Sequence, residues 1–324
     1  MTLSCGIVGL PNVGKSTLFS AASGQKVVAD NFPFCTIEPN RGLAPVSDPR
    51  MSVLERLVQP EKVVPSVVKL VDIAGLVRGS HQGEGLGNQF LSHIMEVSLV
   101  VHVVRCFDSE NIIHIEGKVD PVRDRNVVET ELQLKDLEML SKRHSKLEKL
   151  LKAGKNGKAK EEMSLIKSLQ KELEEGRSLR LLDLSAHDQK LISALSLLSL
   201  KPLVYVANVH EKDVVSGNAH VEALKKDIKE ESSPVVLLSS SLEAQLLELL
   251  PEERREFLRA YHLEAPCLDV LVRTAYKYLN LITFFTAGPQ ELRAWPLRRS
   301  ATAWDAAGVI HSDFQKNFIK ADVA

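Results

Sequence analysis

The segment Gly9-Leu10-Pro11-Asn12-Val13-Gly14-Lys15-Ser16 constrains this chain more than any other. It matches G-x-x-x-x-G-K-[ST] and stands between an apolar run, Leu3–Leu10, and a helix-like stretch, Val13–Ala22. Strand, glycine turn and helix in that order build a phosphate cradle. The glycines let backbone N–H groups turn inward, and the helix adds the positive end of its dipole. Asn12, Val13, Gly14 and Thr17 are expected to line the cradle. Lys15 is placed to reach the β- and γ-phosphates as a catalytic cation, and Ser16 to offer Mg²⁺ a hard oxygen. A chance match in an ordinary strand–turn–helix is the weaker alternative.

A second element supports the first. Asp72-Ile73-Ala74-Gly75 closes another apolar run, Val67–Ile73, 57 residues after Lys15. In a P-loop protein this Asp holds Mg²⁺ and the Gly75 N–H meets the γ-phosphate. The chain that follows carries Gly75, Gly79, Gly83, Gly85 and Gly87, a composition suited to a loop that reorders with its ligand. Between the two motifs lies Asn31-Phe32-Pro33-Phe34-Cys35-Thr36, and Thr36 is the candidate to complete the Mg²⁺ shell.

Further apolar runs at Leu99–Val104, Leu203–Ala207 and Val235–Leu238 alternate with helical stretches. That pattern predicts an α/β fold with a mostly parallel sheet and helices on both faces. From Val128 to Arg177 the chain turns rich in Leu, Lys and Glu, with a break at residues 152–158. This reads as a helical hairpin inserted into the α/β unit. After Asn280, Leu281–Thr286 and Glu291–Leu297 predict two strands of a small β-rich module. Only about 45 residues are left for it, thin for an independent core. The expected divisions are 1–127, 128–195 (the hairpin), 196–279 and 280–324.

Charge separates the hairpin from the rest. Lys plus Arg is 41 and Asp plus Glu is 42, a net −1, which excludes a globally basic nucleic-acid coat. Residues 142–160 nevertheless hold eight Lys or Arg against Glu148 alone. This local +7 suits RNA phosphates, with a merely solvated face as the alternative. No DNA or membrane partner is expected, since no run reaches the about 18 apolar residues of a span. The N-terminus lacks the basic region of a signal peptide. Cys5, Cys35, Cys106 and Cys267 are too scattered for a disulfide framework, so a reducing, cytoplasmic setting is expected.

The base is addressed after the fourth strand. A guanine reader carries N-K-x-D there, and the chain has Asn208-Val209-His210-Glu211 instead. Glu is longer than Asp and cannot take the same place against the guanine edge unless the loop shifts. Adenine presents the opposite donor–acceptor pattern, and a buried mismatch is costly. Asn208, Val209 and Glu211 are therefore the candidate base-contact residues, favouring ATP. The competing possibility is that Asn208 and Glu211 only cap the next helix. The place after Asp72-x-x-Gly75 where many relatives keep a water-positioning Gln holds Leu76. His114, after the third strand, is the candidate substitute, since a neutral imidazole can orient or deprotonate water. A loop histidine without a catalytic role is its competitor. Asn12 occupies a position where potassium-stimulated NTPases hold K⁺ through an Asn carbonyl; the favoured alternative is that it stabilises the loop through its own backbone.

Taken together, GLPNVGKSTLF, NFPFCTIEPN, VDIAGLV, GEGLGNQFL, HVVRCF, NIIH, LDLSA, ANVHE, FFTAGPQELRAW and AAGVIHSDF resemble the YchF type of Obg-like ATPases, a branch of the P-loop GTPase class. The resemblance runs in order over nearly the whole chain. It implies a Mg²⁺-dependent ATPase with a G domain, a coiled-coil insert and a C-terminal ubiquitin-like TGS domain. It implies that Asn208–Glu211 selects ATP, that Leu76 replaces the catalytic Gln and that His114 acts in its stead. It also implies ribosome binding and a link to translation or stress responses. Measured against a full TGS domain, the C-terminal module is expected to lack its last strands. Two other readings stay open: a true GTPase, and a nucleotide-gated interaction module in which hydrolysis is incidental.

Overall fold

The computed structural model describes residues 4–24, 40–73, 93–152 and 157–322. Its main sheet is built from β1 (Ser4–Val8), β2 (Arg41–Pro45), β4 (Val67–Asp72), β5 (Leu99–Arg105), β6 (Leu203–Asn208) and β7 (Val235–Leu238). The spatial order is β2-β4-β1-β5-β6-β7. Every pairing is parallel except β2 against β4. β5 and β6 are buried along their whole length, which is why they read as unbroken apolar runs rather than alternating ones. Helix α1 (Lys15–Ser23) follows β1 directly. Ile7, Val8, Leu18, Val103, Val204 and Val206 are among the residues of the one core beneath the phosphate loop.

Two strands and a helix were not expected from the sequence. β2 is Arg-Gly-Leu-Ala-Pro, poor in strand-forming residues, and it survives as the edge of the sheet, where Pro is tolerated. Helix α2 (Pro49–Val58) is started by Asp48, whose side chain accepts from the Arg50 N–H. It leads to β3 (Lys62–Val64), only three residues long.

The inserted hairpin consists of α3 (Pro121–Lys152) and α4 (Gly157–Glu174). Its first helix therefore begins before Val128, inside the G-domain segment. Leu140, Leu147, Ile166, Leu169 and Leu173 form a core of their own, separate from that of the sheet. The root of α3 is fastened by polar groups. Asp136 is fully buried and accepts from the Leu198 N–H (2.8 Å), the Ser199 N–H (2.8 Å) and the Ser199 hydroxyl (2.5 Å). Arg125 donates to the Tyr205 hydroxyl at 3.0 Å and pairs with Glu231, and Arg180 pairs with Glu129.

Past α5 (Ala186–Ile192), α6 (Ala219–Asp227), α7 (Ser240–Glu248), α8 (Pro251–Ala260) and α9 (Cys267–Tyr278), the chain forms an antiparallel hairpin, β8 (Leu281–Ala287) and β9 (Glu291–Arg298). β3 adds to β9 in parallel, making a three-stranded sheet with one strand drawn from far upstream. Met51, Leu292 and Ala294 are buried together at this junction, with Leu54, Val63 and Phe285 against them. The C-terminal hairpin is thus joined by β3 and packed against α2. Helices α10 (Ala303–Ile310) and α11 (Ser312–Lys316) follow. Among the described residues no helix is long and apolar enough to cross a membrane.

Replacing Asp136 with Ala leaves two buried N–H groups and a hydroxyl without acceptors, each costing about 1–3 kcal/mol. Urea unfolding is expected to show a loss of about 3–5 kcal/mol. A loss near zero would mean that the clasp adds nothing to the seating of α3.

Candidate nucleotide site

The phosphate loop is shaped by two glycines that admit no substitute. Gly9 has φ 151°, and a Cβ there would stand 2.4 Å from the Val103 carbonyl oxygen. Gly14 has φ 99°, and its Cβ would stand 2.3 Å from Asn208 Nδ2. Both conformations favour glycine, and both positions are pressed against neighbouring backbone or amide. Gly14 is the N-cap of α1 and gives it no side-chain cap. The first N–H groups of α1 are left to an outside acceptor, which is the anion cradle that the motif predicts.

Lys15 is buried, and its Nζ donates to the Leu10 carbonyl at 2.7 Å. Burial pushes its pKa down to about 8, while the charge of Asp72 pulls it back up. Burial raises the Asp72 carboxyl in turn, and Lys15 opposes that. The two side chains thus share one electrostatic pocket. Asp72 is set at the end of β4, where its N–H donates to the Asn40 carbonyl at 2.9 Å. Ser16 and Thr17 are exposed in the first turn of α1, while the Val13 side chain is buried in the core. Thr36, Gly75 and Leu76 lie outside the described residues. A hydroxyl, a carboxyl and an adjacent phosphate cradle offer the hard oxygens that Mg²⁺ requires.

The candidate base-contact residues all have partners inside the protein. Asn208 is buried and donates from Nδ2 to the Val13 carbonyl at 2.8 Å. Its Oδ1 accepts from the Ser240 N–H at 3.0 Å. Both ends of the amide are thus used inside the protein, between the phosphate loop and the start of α7. Asn208 splices two loops and takes the first N–H of α7, and its amide keeps a second N–H and a second lone pair. Glu211 is also engaged. Its carboxylate accepts from Ser241 Oγ (3.0 Å), Gln245 Nε2 (2.8 Å) and the Tyr261 hydroxyl (3.1 Å). The longer side chain carries its charge away to α7 and the end of α8. The Val209 side chain is buried, and its N–H donates to the Leu238 carbonyl at 2.9 Å.

Asn12 does not close on its own backbone. It lies at φ 61° and donates from Nδ2 to the Ile113 carbonyl at 3.2 Å. This ties the phosphate loop to the segment that carries His114. Arg105 holds that segment: it is buried, donates to the carbonyls of Phe107 and Ile112 (3.0 Å each) and covers the Phe107 ring. His114 itself is buried, not a free loop histidine. Its Nε2 lies 2.8 Å from Asp124 Oδ2, and its Nδ1 accepts from the Glu116 N–H at 3.1 Å. Both ring nitrogens are engaged by protein groups in this arrangement.

Sequence reasoning missed Ser240, Ser241, Gln245, Tyr261 and Asp124. A strand ending in three serines, Ser239–Ser241, was the available signal for the first two. The others come from distant helices and leave no local pattern.

A family described as 50S ribosome-binding GTPase matches residues 4–144, which hold the phosphate loop but stop short of Asn208. The C-terminal family of YchF GTPases, described as a protein of unknown function (DUF933), matches residues 281–324. The protein called Ribosome-binding ATPase YchF in Escherichia coli O157:H7 is 48% identical over 321 residues, covering 99% of this chain and 88% of that protein. The chain belongs to the YchF family. The Bacillus subtilis YchF of the same name is 43% identical over 324 residues, again with 88% of its length covered. The solved structure of the Schizosaccharomyces pombe YchF GTPase superposes with a TM-score of 0.86 at 37% identity, over 98% of this chain and 86% of that one. The YchF fold and a P-loop hydrolase of nucleotides follow from this membership.

The Lys15 pocket gives a pH signature. A phosphate ligand needs the ammonium form, and the free side chain loses its proton near pH 8. Above that pH, binding must take up a proton, so affinity falls by up to about tenfold per pH unit. Titration with a fluorescent ADP from pH 7 to 9.5 is expected to show this decline beginning near pH 8. A flat profile would take Lys15 out of phosphate binding.

Proposed function

We propose that this YchF-family chain is a Mg²⁺-dependent ATPase that works as a ribosome-bound switch in the cytoplasm. In this reading Lys15 neutralises the β- and γ-phosphates, and the N–H groups from Asn12 to Thr17 cradle them. Ser16, Asp72 and Thr36 would hold Mg²⁺, which when bound would supply charge neutralisation to the phosphates. Gly75 meets the γ-phosphate.

The observation that carries the choice of ATP is the fate of Glu211. Its carboxylate is held by three donors from α7 and the end of α8, so it is not offered to the N1–H and N2–H₂ of guanine. A guanine bound there would lose two hydrogen bonds that a GTPase relies on. The names of the E. coli and B. subtilis relatives, ribosome-binding ATPases, agree with this reading. The GTPase in the description of the N-terminal family attaches to residues 4–144, a stretch that contains no base-reading residue. Asn208 then serves the site through the phosphate loop, with the base met by backbone of the 208–211 and 239–241 loops. We assign His114 to the attacking water, from a position other than the one it occupies here. Potassium has a candidate oxygen in Asn12 Oδ1, and equal turnover in KCl and NaCl would dismiss it.

The hairpin is the proposed RNA-facing element, and its usable charge is smaller than the sequence count. Lys142 pairs with Glu138, and Arg143 pairs with Glu162. Lys146, Lys149, Lys152, Lys158 and Lys160 are exposed with no ion pair among the described residues. Each phosphate contact adds about 0.7–0.9 to the steepness of log K against log salt.

Turnover of ATP and GTP, with and without ribosomes, tests the reading. ATP is expected to be preferred and ribosomes to change its rate, with Lys15→Ala inactive but folded. Preference for GTP would overturn the base assignment. Replacing Lys146, Lys149, Lys152 and Lys158 with Ser is expected to weaken ribosome binding and lower the salt slope by about 3 units, leaving basal ATP turnover unchanged. An unchanged slope would move the contact to the C-terminal sheet.

A further inference from the structure

His114 is held by a residue whose position on the chain has a mechanical meaning. Asp124 is buried and stands in the first turn of α3. Its Oδ2 takes the proton of His114 Nε2 at 2.8 Å. Its Oδ1 is fixed by Arg123 at 2.8 and 3.1 Å. The Glu116 N–H occupies the other imidazole nitrogen, so the partners fix the Nε2–H tautomer and turn the ring inward. Beside the ring lies a cleft of about 740 Å³, lined by Arg105, Ser109, Ile112, His114 and Lys118 among others.

The same helix that carries Asp124 in its first turn runs without interruption to Lys152 at the end of the hairpin. Over 28 residues that is about 42 Å. Between them sits Asp136, clasped by Leu198 and Ser199 where the G-domain half of the helix ends. On the other side of His114, Asn12 joins the phosphate loop to Ile113. A continuous path of contacts thus runs from phosphate loop to histidine to helix root to hairpin end.

We propose that Asp124 is a latch: it keeps His114 turned away from the nucleotide, and a load on the hairpin, transmitted along α3, releases the ring. The proposal rests on the assignment of His114 to the attacking water. Asp124 is a positioning residue and touches no reacting atom. Opening the latch breaks one charge-assisted hydrogen bond, and a shift of about 1 Å in the first turn of α3 is enough to break a bond 2.8 Å long. The opened state is then selected by whatever binds the hairpin better in that state.

Single-turnover hydrolysis of ATP by the full chain tests the latch, with Asp124→Ala, the near-isosteric Asp124→Asn, His114→Ala and the double variant. Asp124→Ala is expected to raise the basal rate about tenfold, the scale of one charge-assisted hydrogen bond, with KM for ATP unchanged. Asp124→Asn, which still accepts from Nε2–H, should lie between it and the parent protein. The double variant should lose the gain. Ribosomes should raise the rate of the parent and leave Asp124→Ala unmoved. Nitrogen-15 shifts of the His114 ring should report the Nε2–H tautomer in the parent and an averaged ring in Asp124→Ala, which checks the geometry independently of rate. If His114→Ala turns over normally, the assignment of His114 fails. If His114→Ala is slow but Asp124→Ala is equally slow, Asp124 supports the active ring and the latch is overturned. Equal stimulation of parent and Asp124→Ala by ribosomes would overturn the link to the hairpin.

Discussion

One buried amide holds the nucleotide site together. Asn208 stands at the end of β6, gives its N–H₂ to the Val13 carbonyl and takes the Ser240 N–H on its oxygen. Buried polar groups must be paired, and a side-chain amide with one donor and one acceptor satisfied on two different loops fixes both at once. The conformation of Gly14 depends on it, because that amide fills the volume where any Cβ would have to stand. The uncapped start of α1, the burial of Lys15 and the shared field of Lys15 and Asp72 all follow from the loop being held in this shape.

A second constraint is the division of the molecule into separately packed parts joined by polar clasps. The hairpin has its own apolar core, and only its root meets the sheet. That root is fastened by Asp136, Arg125 and Arg180, groups whose burial is costly unless every partner is in place. Such contacts specify one seating of the helix more sharply than apolar packing would. The small C-terminal sheet takes in β3 and packs on α2, both from the segment between the phosphate loop and Asp72.

Much of the fold was legible because its central strands are fully buried and so spell out as apolar runs. Leu99–Arg105 and Leu203–Asn208 are the clearest cases. The phosphate loop was legible because its chemistry is local: glycine, lysine and serine act within eight consecutive residues. β2 and β3 were not, since an edge strand with Gly and Pro and a strand of three residues take their stability from their neighbours. Asn208, Glu211 and His114 were found as residues, but their partners inside the protein were not. What each side chain touches is decided by Ser240, Tyr261 and Asp124, which lie 32, 50 and 10 residues away. Spacing along the chain carries no record of those meetings.

We propose that Asn208 serves the nucleotide chiefly through the phosphate loop, which its Nδ2 holds at the Val13 carbonyl. Calorimetric titration of Asn208→Ala with ATP and with tripolyphosphate, which has no base, separates the two. The account predicts that both ligands lose affinity by the same factor, because the loop that cradles the phosphates is no longer held. Loss of ATP affinity with tripolyphosphate binding intact would contradict it and make Asn208 a reader of the base.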